Sequence, residues 1–304
     1  MPLIVTGSIG IDTIHTPDAK AERILGGSCA YFAAAASFHG PVRVVAAVGG
    51  DWPDEHRRLL EKFDNICLDG LEVRPNSTTF AWGGRYFSNM NERETLFTEL
   101  GVLGEDLPPV PDTFRDSEYA FLANNHPAVQ TQLLGHFPDR KLAVADTMDL
   151  WINIARAELL EVMAAVDGLV LNDSEAEQLT EVTNAITAAR KIIELGPTFV
   201  VVKKGPHGAV LVHRDGLATI PAYPAEHHQV VDPTGAGDAF AGGMMGHIAA
   251  AGMTDFASIQ TALAWGTVTA SFAIESFGLD RLAEISRRDI DERMREFQAV
   301  ARVG

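Results

Sequence analysis

The alternation of short apolar runs with helical segments most constrains how this chain can fold. Between runs of strand length, apolar residues return at the 3.6-residue spacing of amphipathic helices. We predict strands at 3–5, 42–48, 119–122, 141–145, 168–171, 198–202 and 208–212, and helices at 28–38, 53–63, 127–135, 154–164, 174–180, 183–195, 238–251, 254–273 and 287–301. Strands that alternate with helices form a parallel sheet covered on both faces. The pattern therefore predicts a doubly wound α/β three-layer sandwich with a mainly parallel central sheet.

Residues 72–100 interrupt this alternation. Aromatic and β-branched residues alternate there with polar ones around a turn at Ser88–Asn91, which is typical of a β-hairpin. Together with residues 13–25, the hairpin predicts a small sheet that stands apart from the core as a lid. We expect residues 1–304 to form a single domain with this lid inserted in the α/β core.

The charge of the chain limits its partners. The net charge is −17 and the isoelectric point is near 4.9, which argues against binding nucleic acid or an anionic membrane through a basic surface. Cys29 and Cys67 form neither a CxxC motif nor a zinc-site spacing, and no basic leader or apolar run of membrane-spanning length is present. These features favour a cytoplasmic protein that acts on a small molecule.

The segment 232–240, DPTGAGDAF, predicts an anion site. Backbone N–H groups at a helix start have no intrahelical partner, so Gly235, Ala236 and Gly237 offer three donors to an anion. Asp238 follows at once, and a carboxylate beside a phosphate-sized hole can take the proton of an attacking hydroxyl. The pairing favours phosphoryl transfer to an alcohol. The alternative is that Asp238 only caps its helix and the glycines only permit a tight turn.

The same segment resembles the signature of the PfkB, or ribokinase-like, carbohydrate kinase family. A Walker loop is excluded because GK[ST] is missing, and Phe240 stands where a GxGxxG motif needs its last glycine. The resemblance extends over nearly the whole chain, since four further motifs stand in the family's order. They are GG at 26–27, VGGD at 48–51, NDSE at 172–175 and KGPHG at 204–208. The family fold is a doubly wound sandwich with a β lid, as the alternation independently predicts.

The resemblance implies roles for the phosphate-binding residues. It makes Asp238 the base and the amides of 235–237 the anion hole, with ATP as donor and Mg²⁺ bridging its phosphates. Asn172 and Glu175 resemble the family's NxxE pair, which acts near the Mg²⁺ ion through water. The alternative for this pair is a helix cap, which can coexist with that role.

Further resemblances concern the nucleotide and a second cation. Gly205 and Gly208 lie in a loop that resembles the nucleotide-binding GxxG, where Lys203 either contacts phosphates or lies on the surface. Asp232 and Thr234 match positions that organise a monovalent-cation site in many members, which makes K⁺ a candidate. Trp265 either borders the adenine or belongs to the core.

The acceptor side departs from the family pattern. Asp12, near the end of the first strand, matches the acidic residue that binds sugar hydroxyls, and Gly26-Gly27 lets the backbone approach a ligand. Tyr31 replaces the asparagine of GGxxxN, and Asn124 stands where several sugar kinases carry Glu or Gln. Asp146 begins a segment that only loosely resembles their DPNxR.

The residues favour a sugar or sugar-like polyol as acceptor and leave a nucleoside as the alternative. The lid carries aromatic residues on which a purine could stack, namely Trp82, Tyr86, Phe87 and Phe97. Two alternatives to a kinase remain. One is a hydrolase with Ser28 as nucleophile in an incomplete GxSxG motif, and the other is a catalytically silent protein that senses a ligand. We also expect a homodimer through exposed strand edges of the lid.

Overall fold

A nine-stranded sheet forms the centre of this computed structural model, which describes residues 1–301 apart from the side chain of His227. In chain order the strands are β1 Leu3–Thr6, β2 Gly10–His15, β3 Lys20–Gly26, β4 Val42–Gly49, β5 Ile66–Arg74, β6 Phe80–Tyr86, β7 Arg93–Glu99, β8 Tyr119–Leu122, β9 Leu142–Asp146, β10 Gly168–Asn172, β11 Phe199–Lys203, β12 Ala209–His213 and β13 Gly216–Ile220. The central order is β13-β12-β11-β10-β9-β8-β1-β4-β5. Among these described strands, β12 alone runs in the opposite direction to the others, so the predicted mainly parallel sheet is confirmed.

Helices cover both faces of this sheet. They are α1 Ser28–Ser37, α2 Asp54–Leu60, α3 Pro127–Leu134, α4 Asp149–Ile154, α5 Arg156–Ala165, α6 Asp173–Thr180, α7 Ala185–Ile193, α8 Ala236–Ala251, α9 Phe256–Ala273, α10 Asp280–Glu284 and α11 Arg287–Ala301. One apolar core lies under α1, α8 and α9, and the other lies under α3, α5 and α7. The two cores on opposite sheet faces complete the predicted three-layer sandwich.

Small residues allow α1 and α8 to pack closely. All ten residues of α1 are buried, including the alanines at 33–36. A Cβ built on Gly246 of α8 would lie only 2.9 Å from the carbonyl oxygen of Ala36. Glycine on this side of α8 therefore allows the two helices to approach closely. Gly27 and Gly235 are the N-cap residues of α1 and α8.

A second, four-stranded sheet has the order β3-β2-β6-β7. Its inner face contributes Ile14, Phe80, Trp82 and Tyr86 to a small apolar cluster, which also contains Trp151 of α4. The hairpin begins at Phe80, whereas residues 72–74 continue β5 of the central sheet because Arg74 still pairs with Gly49 of β4. Among residues 1–301, none of the helices combines the length and the apolar composition needed to cross a bilayer.

Candidate active site

Chemically active side chains collect at the carboxyl-terminal edge of the central sheet. Asp146, Asn172 and Lys203 are the last residues of the neighbouring strands β9, β10 and β11. Parallel strands end at the same edge, which is where ligands bind in open α/β sheets. The amino-terminal turn of α8 faces this edge, since Lys203 Nζ would lie 2.6 Å from a Cβ built on Gly237.

The turn that begins α8 has the geometry that its sequence predicts. Gly235 is the N-cap residue with φ 74° and ψ −2°, a left-handed conformation that favours glycine. A Cβ at this position would overlap the ring of Tyr31. No side chain caps the helix, and Asp238 lies inside its first turn, so the alternative in which Asp238 is the cap is wrong. The amides of 235–237 consequently have no side-chain acceptor from an N-cap.

Two carboxyl groups meet beside this turn. The carboxyl groups of Asp146, which is 5% exposed, and Asp238 lie close enough for each to shift the pKa of the other. Burial raises the pKa of Asp146 well above its usual value, and the neighbouring Asp238 charge raises it further. Burial also raises the pKa of Asp238, while Lys203 and Arg93 oppose that rise. Both carboxyl groups are therefore harder to ionise than usual, and Asp146 is more so than Asp238.

Asn172 and Glu175 form a reciprocal cap at the start of α6. Asn172 Oδ1 accepts the backbone N–H of Glu175 at 2.7 Å, and Glu175 Oε2 accepts that of Asn172 at 2.8 Å. The capping alternative is thereby confirmed. Burial raises the pKa of the Glu175 carboxyl, and nearby Lys203 opposes this shift. The cap engages Oε2, and the second carboxylate oxygen is left for another partner.

The glycine-rich loop after β11 lies under the turn of the small-sheet hairpin. Gly205 and Gly208 have φ of 52° and 81°, and a Cβ on Gly208 would overlap the carbonyl of Ile220. Asn91 Oδ1, from the hairpin turn, would lie 3.5 Å from a Cβ on Gly205. Gly208 is therefore required by the backbone, the φ of Gly205 favours glycine, and Asn91 brings the hairpin turn beside this loop.

Asp232 and Thr234 precede the turn. Asp232 is fully buried, and its Oδ1 accepts the backbone N–H of Thr234 at 2.9 Å. Its Oδ2 has no hydrogen-bond partner among residues 1–301, and burial raises its pKa to about 6. Thr234 Oγ1 donates to the hydroxyl of Tyr86 in β6 at 3.1 Å, which ties the turn to the small sheet.

Asp12 and the Gly26-Gly27 pair lie together on the other side of the turn. Asp12 belongs to β2, because its segment pairs with β6 of the small sheet and not with the central sheet. The first strand ends at Thr6, so the prediction that Asp12 lies near its end is wrong. A Cβ on Gly26 would overlap the Asp12 carboxyl group, and Gly27 has φ 92°. Burial, with a smaller contribution from Asp232, raises the pKa of Asp12 to about 8.

Tyr31 and Asn124 lie near the first turn of α1, where Ser28 Oγ donates to the carbonyl oxygen of Asn124 at 3.4 Å. The side chain of Tyr31 is 1% exposed, and its hydroxyl has no partner among the described residues. Burial raises the pKa of this hydroxyl, and the charges of Asp232 and Asp12 add to the effect. Asn124 Oδ1 accepts the indole N–H of Trp151 at 2.8 Å.

The structure does not bring Trp265 to this edge. Its ring stacks on His247 with centroids 5.1 Å apart, and Arg287 lies over it at 4.8 Å. His247 is nine residues beyond Asp238 in α8, about 13 Å along the helix. Trp265 thus packs between helices, as its core alternative predicts.

Three residues near the site were not predicted as site residues. Arg93 of β7 lies over the Trp82 ring at 5.4 Å and is close enough to Asp238 and Glu175 to influence their pKa values. No pattern in one sequence marks Arg93 or Trp151. Asp146 had one usable signal, an acidic residue at the end of a predicted strand.

The match to known proteins agrees with this geometry. A family model described as pfkB family carbohydrate kinase matches residues 140–285. A cytidine kinase of Thermococcus kodakarensis is 30% identical over 252 residues, which cover 81% of this chain and 87% of that protein. The chain therefore belongs to the PfkB family of carbohydrate kinases, and it is a phosphotransferase.

Two solved structures share the fold at lower identity. A nucleoside kinase of Methanocaldococcus jannaschii, an archaeal member of the ribokinase family, has a TM-score of 0.77 at 20% identity, covering 97% of this chain and 98% of that one. A nucleoside kinase of Burkholderia thailandensis in complex with inosine has a TM-score of 0.77 at 22% identity, covering 98% and 99%. They establish the ribokinase-like fold.

Proposed function

We propose that this kinase transfers the γ-phosphoryl group of ATP to a hydroxyl of a nucleoside. The observation that carries the proposal is the position of Asp238 inside the first turn of α8, with the ammonium of Lys203 against the same turn. A base and an anion hole are thus combined within four residues. This arrangement suits a reaction in which an alcohol loses a proton while charge develops on a phosphoryl group.

Asp238 takes the proton of the acceptor hydroxyl while the oxygen of that hydroxyl forms a bond to the γ-phosphorus. The bond from that phosphorus to the bridging oxygen breaks, and ADP leaves with the electron pair. The amides of 235–237 and the Lys203 ammonium stabilise the charge on the transferred group. Arg93 of the small sheet adds a second positive charge, and the carboxyl group of Asp146 lies beside that of Asp238.

Residues of the nucleotide side fit ATP with two cations. The loop with Gly205 and Gly208 would receive the nucleotide, and the free oxygen of Glu175 would hold Mg²⁺ through water. Within residues 1–301, no three acidic, His or Cys side chains cluster as a metal site, so the phosphates themselves must supply most Mg²⁺ ligands. The partnerless Oδ2 of Asp232 fits a monovalent cation such as K⁺. Bound Mg²⁺ would neutralise phosphate charge.

A nucleoside fits the acceptor side better than the sugar or polyol favoured by the sequence. Asp12 and Gly26-Gly27 can bind vicinal hydroxyls of either. Trp82, Tyr86 and Trp151 belong to the buried aromatic core of the small sheet, and the Tyr86 hydroxyl accepts from Thr234 beside the turn that begins α8. Aromatic rings near the acceptor favour a base over a free sugar. The names of the cytidine kinase and of the two nucleoside kinases support this choice. A free sugar or polyol is the second candidate, favoured by the unpaired Asp12 oxygen.

We propose that the small sheet acts as the lid of a single domain and also forms a homodimer. The contacts of Tyr86 with Thr234 and of Asn91 with the Gly205 loop support closure over both substrates. Every residue of the edge strand β7 is exposed, including Leu96 and Phe97. An exposed apolar edge can pair with a second copy. Light scattering should give twice the monomer mass, and a monomer at micromolar concentration refutes the dimer.

The substrate proposal is tested by coupled ADP release with Mg-ATP. Nucleosides are compared with pentoses, hexoses and inositols at equal concentrations. The proposal expects turnover with nucleosides that depends on acceptor and disappears in Asp238→Asn. Turnover restricted to free sugars or inositols rejects the nucleoside while retaining the kinase. Activity that persists in Ser28→Ala also disposes of the hydrolase alternative, and measurable turnover disposes of the silent sensor.

A further inference from the structure

The loop after β8 offers two hydrogen-bond donors whose orientation follows from chemistry. Asn124 Oδ1 accepts the indole N–H of Trp151 at 2.8 Å, and His126 Nδ1 accepts the backbone N–H of Ala128 at 3.2 Å. An indole N–H and an amide N–H can only donate. Asn124 must therefore present its Nδ2 hydrogens elsewhere, and the neutral imidazole of His126 must carry its proton on Nε2.

Both donors are free to bind a ligand. Within the described part of the chain, neither Asn124 Nδ2 nor His126 Nε2 donates a hydrogen bond, and neither atom is sealed from solvent. Both residues contact Trp151. Asn124 accepts its indole N–H, and the ring of His126 meets its ring edge-on with centroids 5.1 Å apart. Trp151 in turn packs with Trp82 and Tyr86 of the lid. The donors thus lie beside Trp151, which connects them to the aromatic core of the small sheet.

The loop is held rigidly between the acceptor-binding glycines and the catalytic edge. The buried amide of Gln130 donates to the carbonyls of Leu122, Ala123 and Asp146 at 2.9, 3.2 and 3.1 Å. The carbonyl of Asn124 accepts from the backbone N–H of Ser8 at 3.1 Å. Such fixed donors lose little entropy on binding and penalise a ligand that cannot accept.

We propose that Asn124 Nδ2 and His126 Nε2 bind the base of the nucleoside and select an edge with two neighbouring acceptors. The inference rests on the proposed function and deepens it. Cytosine carries such a pair at O2 and N3, and a 6-oxopurine carries one at O6 and N7. The amino group of adenine at N6 and the N3–H of uracil would place a donor against a donor. The site therefore favours cytosine or 6-oxopurine nucleosides.

The test compares nucleosides that differ in one ring atom and share the same sugar. We measure kcat/KM for cytidine against 3-deazacytidine and for inosine against 7-deazainosine. Loss of the acceptor should lower kcat/KM by about 10- to 100-fold for at least one pair, mainly through KM. Trp151→Phe keeps an aromatic ring but removes the N–H that orients Asn124, so the ratio within that pair should fall towards one.

Two further variants make the result specific. Asn124→Asp keeps the acceptor for Trp151 and removes the Nδ2 donors, so it should also lose the discrimination, whereas Gln132→Ala, exposed on α3, should retain it. Equal kcat/KM within both pairs, or an unchanged ratio in Trp151→Phe and Asn124→Asp, overturns the inference while nucleoside turnover stands. Absence of turnover with every nucleoside instead overturns the proposed function, and this inference falls with it.

Discussion

Binding of the nucleoside should release a proton from Asp12. Burial holds the pKa of this carboxyl at about 8 in the free protein, whereas two sugar hydroxyls that donate to it favour the carboxylate. At pH 7 roughly nine-tenths of Asp12 is protonated, so binding releases about 0.9 proton. The ionised form of Asp12 is the form that binds the nucleoside. Affinity therefore rises about tenfold per pH unit from pH 6 towards 8 and levels off above the pKa of Asp12.

Calorimetry in two buffers of different ionisation enthalpy measures this proton directly. The titration uses Asp238→Asn without ATP, which removes the carboxylate proposed as the base and prevents turnover. Asp238 is the smallest of the named contributions to the Asp12 shift, so the window moves little. Asp12→Asn in the same background is the control and should give no proton release. An affinity that is flat between pH 6 and 8 would refute the role of Asp12.

Substitutions at Gly235, Lys203 and Asp146 test the phosphate side, with Gly252→Ala as a control. Gly235→Ala and Gly252→Ala both place alanine at a left-handed φ, of 74° and 72°, which should lower stability by about 1–2 kcal/mol in urea unfolding. Gly235→Ala should lower it further because its Cβ would overlap the Tyr31 ring, and only Gly235→Ala should abolish turnover. Lys203→Met should lower kcat by about 100-fold while thermal unfolding is unchanged. Asp146→Asn keeps a neutral polar side chain beside Asp238 and should keep kcat within a few-fold. Asp146→Ala removes a group that lowers the pKa of Asp238, so this pKa should rise and the acid limb of the pH–rate profile should move to higher pH.

Much of this architecture is encoded locally and was predictable. The segment 232–240 contains its own turn, its own helix start and its own carboxylate, so a short window of sequence specifies the anion hole. The strands at 168–171 and 198–202 are likewise set by continuous apolar runs between helical segments. Local propensity and pattern agree there with the tertiary structure.

What depends on distant contacts was not predictable. Arg93 reaches the carboxylates because the hairpin folds back over the central sheet, and no local pattern records that return. Asp146 pairs with Asp238 from 92 positions earlier in the chain. Trp265 shows the reverse case, since a half-buried aromatic residue in an apolar helix fits a ligand wall or a helix interface equally well until α1 and α8 are placed beside it.

The most direct test of the account follows the γ-phosphoryl group itself. In a single turnover with γ-labelled Mg-ATP and the best nucleoside, the label should appear in the nucleoside monophosphate. In Asp238→Asn this transfer should slow by about 10²- to 10⁴-fold while the affinity for ATP is retained, because only the proton acceptor is lost. Label that reaches only inorganic phosphate, or a variant that transfers it as fast as the unmodified protein, would contradict the assignment of Asp238 as the base.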